Sequence, residues 1–261
     1  MSFRNKFKNL IYLGLNCIFG LFSVRKATIL MYHSIGHNKV FFTVSPENFI
    51  KQMDYLYRKK YNVIFLSELV DFLKSKKEIP SKTVVLTFDD GYEDIFFGAF
   101  PIFKKYNFPA TVFLTAGFIG KQITNSAGIS LKALSFEQIR EMHDSGLVDF
   151  EPHTVNHPRL SRISLKKAVG EILDSREIVG KNLNKKCDLF AYPYGDYNRE
   201  IQEVLEKNGF SGAITIREGL VSRNDDLLGL KRNSIDSSVG FSQFKGKLNL
   251  SVDIFNFIRR K

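Results

Sequence analysis

Two histidines four residues apart, His153 and His157, form the pair of side chains best suited to hold a metal ion. On a helical turn this spacing points both imidazoles the same way. Two neutral imidazole nitrogens suit zinc, cobalt, nickel or iron, whereas a structural pair would serve as capping or core histidines. A carboxylate nearby would complete the three protein ligands of a catalytic zinc site, which leaves one position for water.

Two adjacent carboxylates, Asp89 and Asp90, follow Thr83–Phe88, a run of β-branched and apolar residues. If the strand continues through them, their side chains alternate, so one can bind the metal while the other faces the bound water. A metal lowers the pKa of that water towards about 7, which makes a carboxylate a competent base near neutral pH. Gly91 then lets the chain turn sharply, although Asp-Asp-Gly alone is also typical of an ordinary turn.

Hydrolysis of an amide also needs an acid that protonates the departing nitrogen. His33 is the best candidate, because imidazole changes its protonation near neutral pH. His37, in a Gly-His-Asn turn, and His143, on a predicted surface helix, are weaker candidates. The backbone N–H of Tyr194, after a proline that fixes the chain direction, could donate to a tetrahedral oxyanion, or the segment could be a simple turn.

Alternating strands and helices must position these residues. Seven short runs of β-branched or aromatic residues predict strands: Ala27–His33, Asn62–Leu66, Thr83–Phe88, Thr111–Thr115, Leu147–Glu151, Asp188–Tyr192 and Ala213–Ile216. Helices are predicted from Pro46 with an inner face that includes Ile50 and Tyr57, from the capping box of Ser135 and Gln138, and from Ser164. This alternation predicts a parallel sheet, closed or open, and the strand number suits a (β/α) barrel.

The candidate reactive residues follow different predicted strands. His33 ends one predicted strand, and the two aspartates, the histidine pair and Tyr194 each follow a different strand within a few residues. In parallel α/β proteins, functional sites lie just beyond the carboxyl ends of the strands. We therefore expect all of these groups to meet in one site.

The composition fits one compact catalytic domain. The chain has 261 residues, 44% of them hydrophobic, and its 25 Phe and 10 Tyr exclude a disordered protein. No apolar run reaches the roughly 18 residues of a membrane span, which excludes a multi-pass membrane protein. Cys17 and Cys187 match neither a disulfide framework nor a zinc knuckle, so we expect free thiols.

Residues 1–26 stand apart from the domain at 27–261. Basic residues flank the apolar stretch Leu10–Val24, which as a helix would run about 22 Å, short of the roughly 30 Å hydrocarbon core. We expect this segment to be a membrane-surface helix or an uncleaved anchor, with a cleaved signal or a helix packed on the domain as alternatives. A cell-envelope location, membrane-associated or secreted, follows from this interpretation.

The formal net charge is +11, which favours anionic surroundings such as nucleic acid, acidic glycan or a lipid surface. The basic residues are spread widely and match no nucleic-acid-binding motif. We therefore predict no nucleic-acid partner.

Three ordered segments, Thr87–Gly91 (TFDDG), His153–His157 (HTVNH) and Tyr192–Gly195 (YPYG), resemble the signatures of carbohydrate esterase family 4, the polysaccharide deacetylases. Leu30–Ile35 (LMYHSI) resembles the N-terminal signature of the permuted branch, which includes biofilm poly-N-acetylglucosamine deacetylases. The resemblance spans roughly residues 27 to 235. It implies a distorted (β/α)7 barrel and metal-dependent removal of N-acetyl groups from the amino sugars of a polysaccharide or lipid-linked saccharide.

The resemblance also implies a role for each matching position. Asp89 would be the general base, His33 the acid, and the amide of Tyr194 an oxyanion donor. One divalent ion, Zn2+ or alternatively Co2+ or Ni2+, would be held by three ligands: Asp90, His153 and His157. In a shallow cleft, Tyr92, Phe97 and Tyr197 are candidate stacking faces for a sugar, with Pro193 also in the substrate site, although each aromatic equally suits the core.

Several departures from the family pattern leave other functions open. The chain has no Trp and no His after position 157, and Ala191 stands where many relatives place an Arg. Arg232 and Asp236 are candidates for the charges that tune the base and the acid. The alternatives are a catalytically silent glycan-binding barrel and a deacylase or cyclic-amide hydrolase of a small metabolite.

Overall fold

A computed structural model describes residues 3–20, 24–124 and 128–259. Its α-helices are Phe3–Phe19 (α1), Pro46–Arg58 (α2), Leu66–Lys74 (α3), Phe100–Tyr106 (α4), Phe136–Asp144 (α5), Leu165–Leu183 (α6), Arg199–Lys207 (α7), Phe241–Lys247 (α8) and Ser251–Arg259 (α9). Its strands are Ala27–Tyr32 (β1), Ser34–Ile35 (β2), Thr43–Val44 (β3), Asn62–Ile64 (β4), Thr83–Phe88 (β5), Ala110–Leu114 (β6), Gln122–Thr124 (β7), Ser130–Lys132 (β8), Val148–Pro152 (β9), Leu189–Ala191 (β10), Gly212–Ile214 (β11) and Asn233–Ser234 (β12).

Six parallel strands form the main sheet, in the order β12-β1-β5-β6-β9 with β4 also paired to β5. β1 and β5 are in register from Ala27 opposite Thr83 to Tyr32 opposite Phe88, so the residues after both strands leave the sheet at the same edge. β10 and β11 form a separate parallel pair. β9 contacts β10, but no hydrogen-bonded ladder joins the two strands within the described residues.

The α/β architecture with a parallel sheet confirms the coarse fold prediction. All seven predicted strands are present, with ends within two residues of the predicted ones. β12, at Asn233–Ser234, was not predicted, because a two-residue strand has no alternation to recognise. It pairs with β1 at the edge of the sheet, and Arg232 is the residue directly before it.

The predicted helix starts are also found. Pro46 occupies the first turn of α2, and the Ser135 side chain accepts a hydrogen bond from the N–H of Gln138 while the Gln138 side chain bonds back. Ile50 and Tyr57, expected on the inner face of α2, are exposed instead. The buried stripe of an amphipathic helix is narrow, and these two residues fall at its borders.

The largest core cluster lies between the sheet and helices α2, α4 and α5. Tyr32 and Phe88, the last residues of β1 and β5, stack at 5.2 Å, and Phe49 packs edge-on against both rings. This aromatic packing fixes the strand ends from which the reactive side chains project. Cys17 is exposed and Cys187 buried, and both are free thiols as predicted.

The N-terminal segment forms α1, which packs on the domain. Tyr12 is buried and stacks on Phe255 of α9, while the Asn16 amide donates to the carbonyl oxygen of Ser242 at 2.8 Å. None of the described helices is both long and apolar enough to cross a bilayer. Residues 1, 2 and 21–23 of the predicted segment lie outside the described residues.

Candidate active site

A cleft of about 820 Å³ opens beyond the carboxyl ends of the strands. Seven of the predicted site residues line it: His33, Asp89, Asp90, Tyr92, His153, His157 and Tyr194. Two segments absent from the prediction form its outer walls, the loop at 39–42 and the β7–β8 hairpin. The carboxyl-end rule therefore located the site from the sequence.

The carboxylate of Asp90 and the imidazoles of His153 and His157 converge on one point. Their candidate ligand atoms all lie within 4.8 Å of one another. Asp90 Oδ1 is 3.4 Å from His157 Nε2 and 3.7 Å from His153 Nε2, and the two Nε2 atoms are 3.1 Å apart. This set of two nitrogens and one oxygen is suited to one divalent cation with an open coordination position.

A second contact prepares His153 for a metal. Its Nδ1 lies 2.7 Å from the carbonyl oxygen of Ala191, which can only accept a hydrogen bond, so Nδ1 carries the proton and Nε2 presents a lone pair. Burial lowers the pKa of His153 to about 4, although Asp89 opposes that shift. The imidazole is therefore neutral near pH 7, as metal ligation requires.

The histidine pair does not lie on a helical turn, and that expectation was wrong. Residues 153–157 form a bend in which Thr154 and His157 adopt left-handed backbone angles. Glu171 of α6 holds the bend, because its carboxylate accepts hydrogen bonds from the backbone N–H groups of Val155 and Asn156 at 2.9 and 2.8 Å. Sequence reasoning missed Glu171, since nothing in the sequence links it to a loop fifteen residues away.

Asp89 forms a buried ion pair with Arg232. The guanidinium Nη1 and Nη2 each lie 2.7 Å from one carboxylate oxygen, and Nε donates to the Thr215 carbonyl at 2.8 Å. Burial alone would raise the pKa of Asp89, but Arg232, together with His153, holds it well below the usual range. Asp89 is therefore ionised where it lines the cleft, and Arg232 is the charge that keeps it so.

We predict that Arg232→Met lowers the free energy of unfolding by about 3 to 5 kcal/mol at pH 7, because it leaves Asp89 buried without its partner. The deficit should narrow as the pH falls, beginning above the ordinary titration range of aspartate, because burial raises the pKa of the unpaired Asp89 and protonation removes its charge. Urea unfolding measures both effects. Arg199→Met is the control: Arg199 pairs with Glu203 on the surface, and its loss should cost only about 0.5 kcal/mol. Equal losses of unfolding free energy in the two variants would contradict the conclusion that Arg232 compensates the buried charge of Asp89.

His33 and Tyr194 both line the cleft. The His33 ring packs 5.3 Å from the ring of Phe42, at the end of β1. Tyr194 has a left-handed backbone, with φ of 59°, and its ring lies 4.5 Å from the ring of His157. Tyr194 therefore borders the candidate metal cluster through His157, and His33 lies in the same cleft as Asp89.

The predicted substrate residues divide into two groups. Tyr92 lines the cleft, but its ring stacks on Phe42 at 5.3 Å and is buried. Tyr197 stacks on a core tyrosine and, like Pro193, is absent from the described cleft lining. Phe97 is exposed away from the cleft. Asp236 borders a different cavity under α1, so of the two candidate tuning charges only Arg232 reaches the site.

A buried, ion-paired carboxylate beside a candidate site for one cation, with an imidazole and a tyrosine turn lining the same cleft, is the arrangement expected of a metal-dependent hydrolase. The model of the polysaccharide deacetylase family matches residues 76–213. The chain is 31% identical, over 217 residues, to the poly-β-1,6-N-acetyl-D-glucosamine N-deacetylase of Staphylococcus aureus, covering 78% of this chain and 72% of that protein.

Two solved structures share the fold. The deacetylase PplD of Streptococcus pyogenes, in complex with acetate, superposes with a TM-score of 0.76 at 30% identity, over 87% of this chain and 99% of that one. IcaB from Ammonifex degensii gives a TM-score of 0.76 at 26% identity, over 87% and 98%. This chain belongs to the polysaccharide deacetylase family, whose members are metal-dependent enzymes.

Proposed function

We propose that this polysaccharide deacetylase removes acetyl groups from the N-acetylglucosamine residues of a poly-β-1,6-linked glycan at the cell envelope. One observation carries the proposal: the ion-paired Asp89 lies beside the converging Asp90, His153 and His157 in a single cleft. The name of the S. aureus relative supports the choice of glycan.

Zn2+, or in its place Co2+ or Ni2+, would be held by Asp90, His153 and His157 and would supply Lewis-acid chemistry, acidifying water and polarising the acetyl carbonyl. Asp89 accepts the proton of the attacking water. Arg232 keeps that carboxylate ionised and therefore able to accept a proton.

The remaining groups act on the substrate. The N–H of Tyr194 donates a hydrogen bond to the carbonyl oxygen as that oxygen gains negative charge. His33 gives its proton to the nitrogen, the carbon–nitrogen bond breaks, and acetate and a free amine result. The cleft is open to a polymer, and Phe41, 73% exposed on its rim, offers an apolar face to a neighbouring sugar.

The purified chain with added Zn2+ should release acetate from β-1,6-linked N-acetylglucosamine oligomers. We expect His33→Gln to lower kcat by about a hundredfold, because the amine then leaves without a positioned acid. KM should change little, since the variant keeps the shape of the wall. Enzymatic determination of acetate, with mass spectrometry of the oligomers, measures both quantities.

His37→Gln is the matched control, because His37 is exposed, pairs with Glu47 and should not affect turnover. Full activity of His33→Gln would overturn the acid assignment. Retention of the glycan without acetate release by the native chain would instead favour a silent glycan-binding protein. Release only from small N-acetylated metabolites would favour a metabolite deacylase.

We also propose that the sheet and the β10–β11 pair together complete a distorted (β/α)7 barrel. Side chains rather than a ladder connect β9 to β10: Glu151 accepts from the N–H of Leu189 at 3.0 Å. Pro193 and Tyr197 would then support the turn that carries Tyr194 rather than contact the sugar. In the same proposal, residues 1–26 bring the enzyme to a membrane surface.

A further inference from the structure

Helix α1 presents polar side chains to the protein and apolar side chains to the outside. Its inward positions include Asn9, Tyr12 and Asn16, which contact α8 and α9. Among the side chains of α1 whose burial the structure describes, the exposed large ones are apolar: Phe7, Leu10, Leu13 and Ile18. A surface helix of a globular protein has the opposite arrangement, because water favours a polar outer face.

The inward face is held by specific contacts. The Asn16 side chain donates to the Ser242 carbonyl at 2.8 Å, and its Oδ1 lies 3.2 Å from the hydroxyl of Ser251 and the amide of Asn249. Tyr12 fills the space over Gly246, where a Cβ would collide with its ring. These polar and shape-specific contacts fix the rotation of α1 about its own axis. The apolar side of the helix therefore faces away from the protein.

Helix α9 packs against α1 and also exposes apolar side chains. Asn16 contacts Ser251 and Tyr12 stacks on Phe255, so successive turns of the two helices pair in antiparallel order. The next turn brings Arg259 beside Lys8, and both residues line one cavity. At this end of the pair, α9 exposes Phe257 and Ile258, which are 62% and 57% accessible.

We call the six exposed apolar residues the α1–α9 face: Phe7, Leu10, Leu13, Ile18, Phe257 and Ile258. Its surroundings are basic. Residues 1–26 and 254–261 contain no Asp or Glu, and Arg25, Lys26 and Arg259 lie near the helix ends. Acidic residues from elsewhere in the fold lie beside some of them: Glu78 pairs with Arg25, and Glu218 and Asp236 line the cavity that Arg259 borders. The one carboxylate of α9, Asp253, pairs with Lys26 at 3.2 Å.

We propose that the α1–α9 face binds the surface of an anionic lipid bilayer. Apolar side chains framed by Lys and Arg are the features of helices that lie in the membrane interface, with the apolar side among the acyl chains and the cations at the headgroups. A second copy of this chain fits less well, because two identical basic borders would repel each other. The membrane-contacting surface therefore includes α9, about 230 residues from the N-terminal segment in the sequence.

The geometry fixes how the enzyme would lie. α1 is held against α8 and α9 along its length, so it stays parallel to the bilayer rather than crossing it. The loop after β12 links this surface to the cleft, because the Ser237 N–H donates to the carbonyl of Phe41 on the cleft rim. Attachment through the α1–α9 face would thus leave the cleft open beside the membrane.

Flotation of the purified full-length chain with vesicles tests the proposal without any use of catalysis. We expect the native chain to float with vesicles that contain one third phosphatidylglycerol in phosphatidylcholine, and to bind pure phosphatidylcholine at least about tenfold more weakly. Added salt should weaken binding to the anionic vesicles. Failure to float with the anionic vesicles would overturn the proposal.

Two double variants examine the two helices separately. Phe7→Ser with Leu10→Ser, and Phe257→Ser with Ile258→Ser, should each weaken vesicle binding by about tenfold, since each removes two apolar side chains from the interface. Tyr57→Ser with Leu165→Ser is the matched control, because these residues are similarly exposed (58% and 45%) on α2 and α6. Its binding should stay unchanged.

Unfolding midpoints near the native value show that a variant keeps its fold, as expected for exposed positions. Loss of binding in the α1 variant alone would restrict the surface to the N-terminal helix and overturn the role of α9. A native chain that sediments as a dimer, and becomes monomeric in either apolar double variant, would show that a second copy covers the face.

Discussion

Substitution of Asp89 with Asn is expected to lower kcat for acetate release by roughly a thousandfold, with little change in KM. The amide keeps the shape of the carboxylate and can still accept one hydrogen bond from Arg232. It cannot accept the proton of the attacking water. The loss is therefore confined to the transition state, and it should appear in kcat and kcat/KM together.

The neighbouring residue provides the sharpest control for this prediction. Asp90 lies one position away and belongs to the metal cluster, whereas Asp89 faces Arg232. We expect Asp89→Asn to keep a bound metal ion, measured by mass spectrometry of the protein's metal content, and Asp90→Asn to lose it. Substantial activity in Asp89→Asn, or equal metal loss in both variants, would contradict the division of roles.

Removal of the metal is the second change expected to abolish activity. A chelator should reduce acetate release by at least about a thousandfold, and stoichiometric Zn2+ should restore it, because the polarised carbonyl and the acidified water both depend on the cation. His157→Ala should lose acetate release to a similar extent, and one equivalent of Zn2+ should not restore its activity. The ligand set found among the described residues has three members, so each one carries a large share of the metal affinity.

A chelator already saturated with zinc serves as the control for non-specific effects of chelation. His37→Ala controls for the loss of an imidazole, because His37 is an exposed histidine outside the cluster. Activity that persists in preparations with far less than one metal ion per chain would contradict the metal-dependent mechanism.

Left-handed backbone conformations of non-glycine residues are concentrated at this site. Four non-glycine residues around the cluster adopt left-handed angles: Asp90, Thr154, His157 and Tyr194. Each costs of order 1 kcal/mol, and such conformations persist only where the surroundings determine them. The hydrogen bonds of Glu171 to the bend at 155–156 are one such determinant. Strained backbone therefore occurs at two of the three candidate metal ligands, at Thr154 between the histidines, and at Tyr194.

Local sequence patterns were sufficient to predict the strands and helices that hold the site. β5 was predicted at its observed bounds, since a run of six buried residues between polar turns leaves little choice. The same reasoning predicted the capping box at Ser135, whose two hydrogen bonds join residues only three apart. Because the carboxyl ends of parallel strands lie on one side of the sheet, the convergence of His33, Asp89 and His153 also followed from strand order.

Sequence patterns were insufficient to predict a side chain's contacts wherever its partner lies far away in the sequence. The histidine pair was expected on a helical turn, but its bend depends on Glu171 in another element. Arg232 could be named only as one of two candidates, because its contact with Asp89 joins residues 143 positions apart. Tyr197 was equally suited to the core or the cleft, and only packing placed it on the core side.

The sequence alone determined the strand–helix order, the types of reactive groups and the edge of the sheet at which they meet, because each depends on interactions between near neighbours. The tertiary structure alone decided that Arg232 rather than Asp236 pairs with Asp89, that Ala191 orients His153, and that α1 turns its apolar side outward. Those outcomes depend on which side chains meet across the fold, and burial and geometry set them only after the chain has closed on itself.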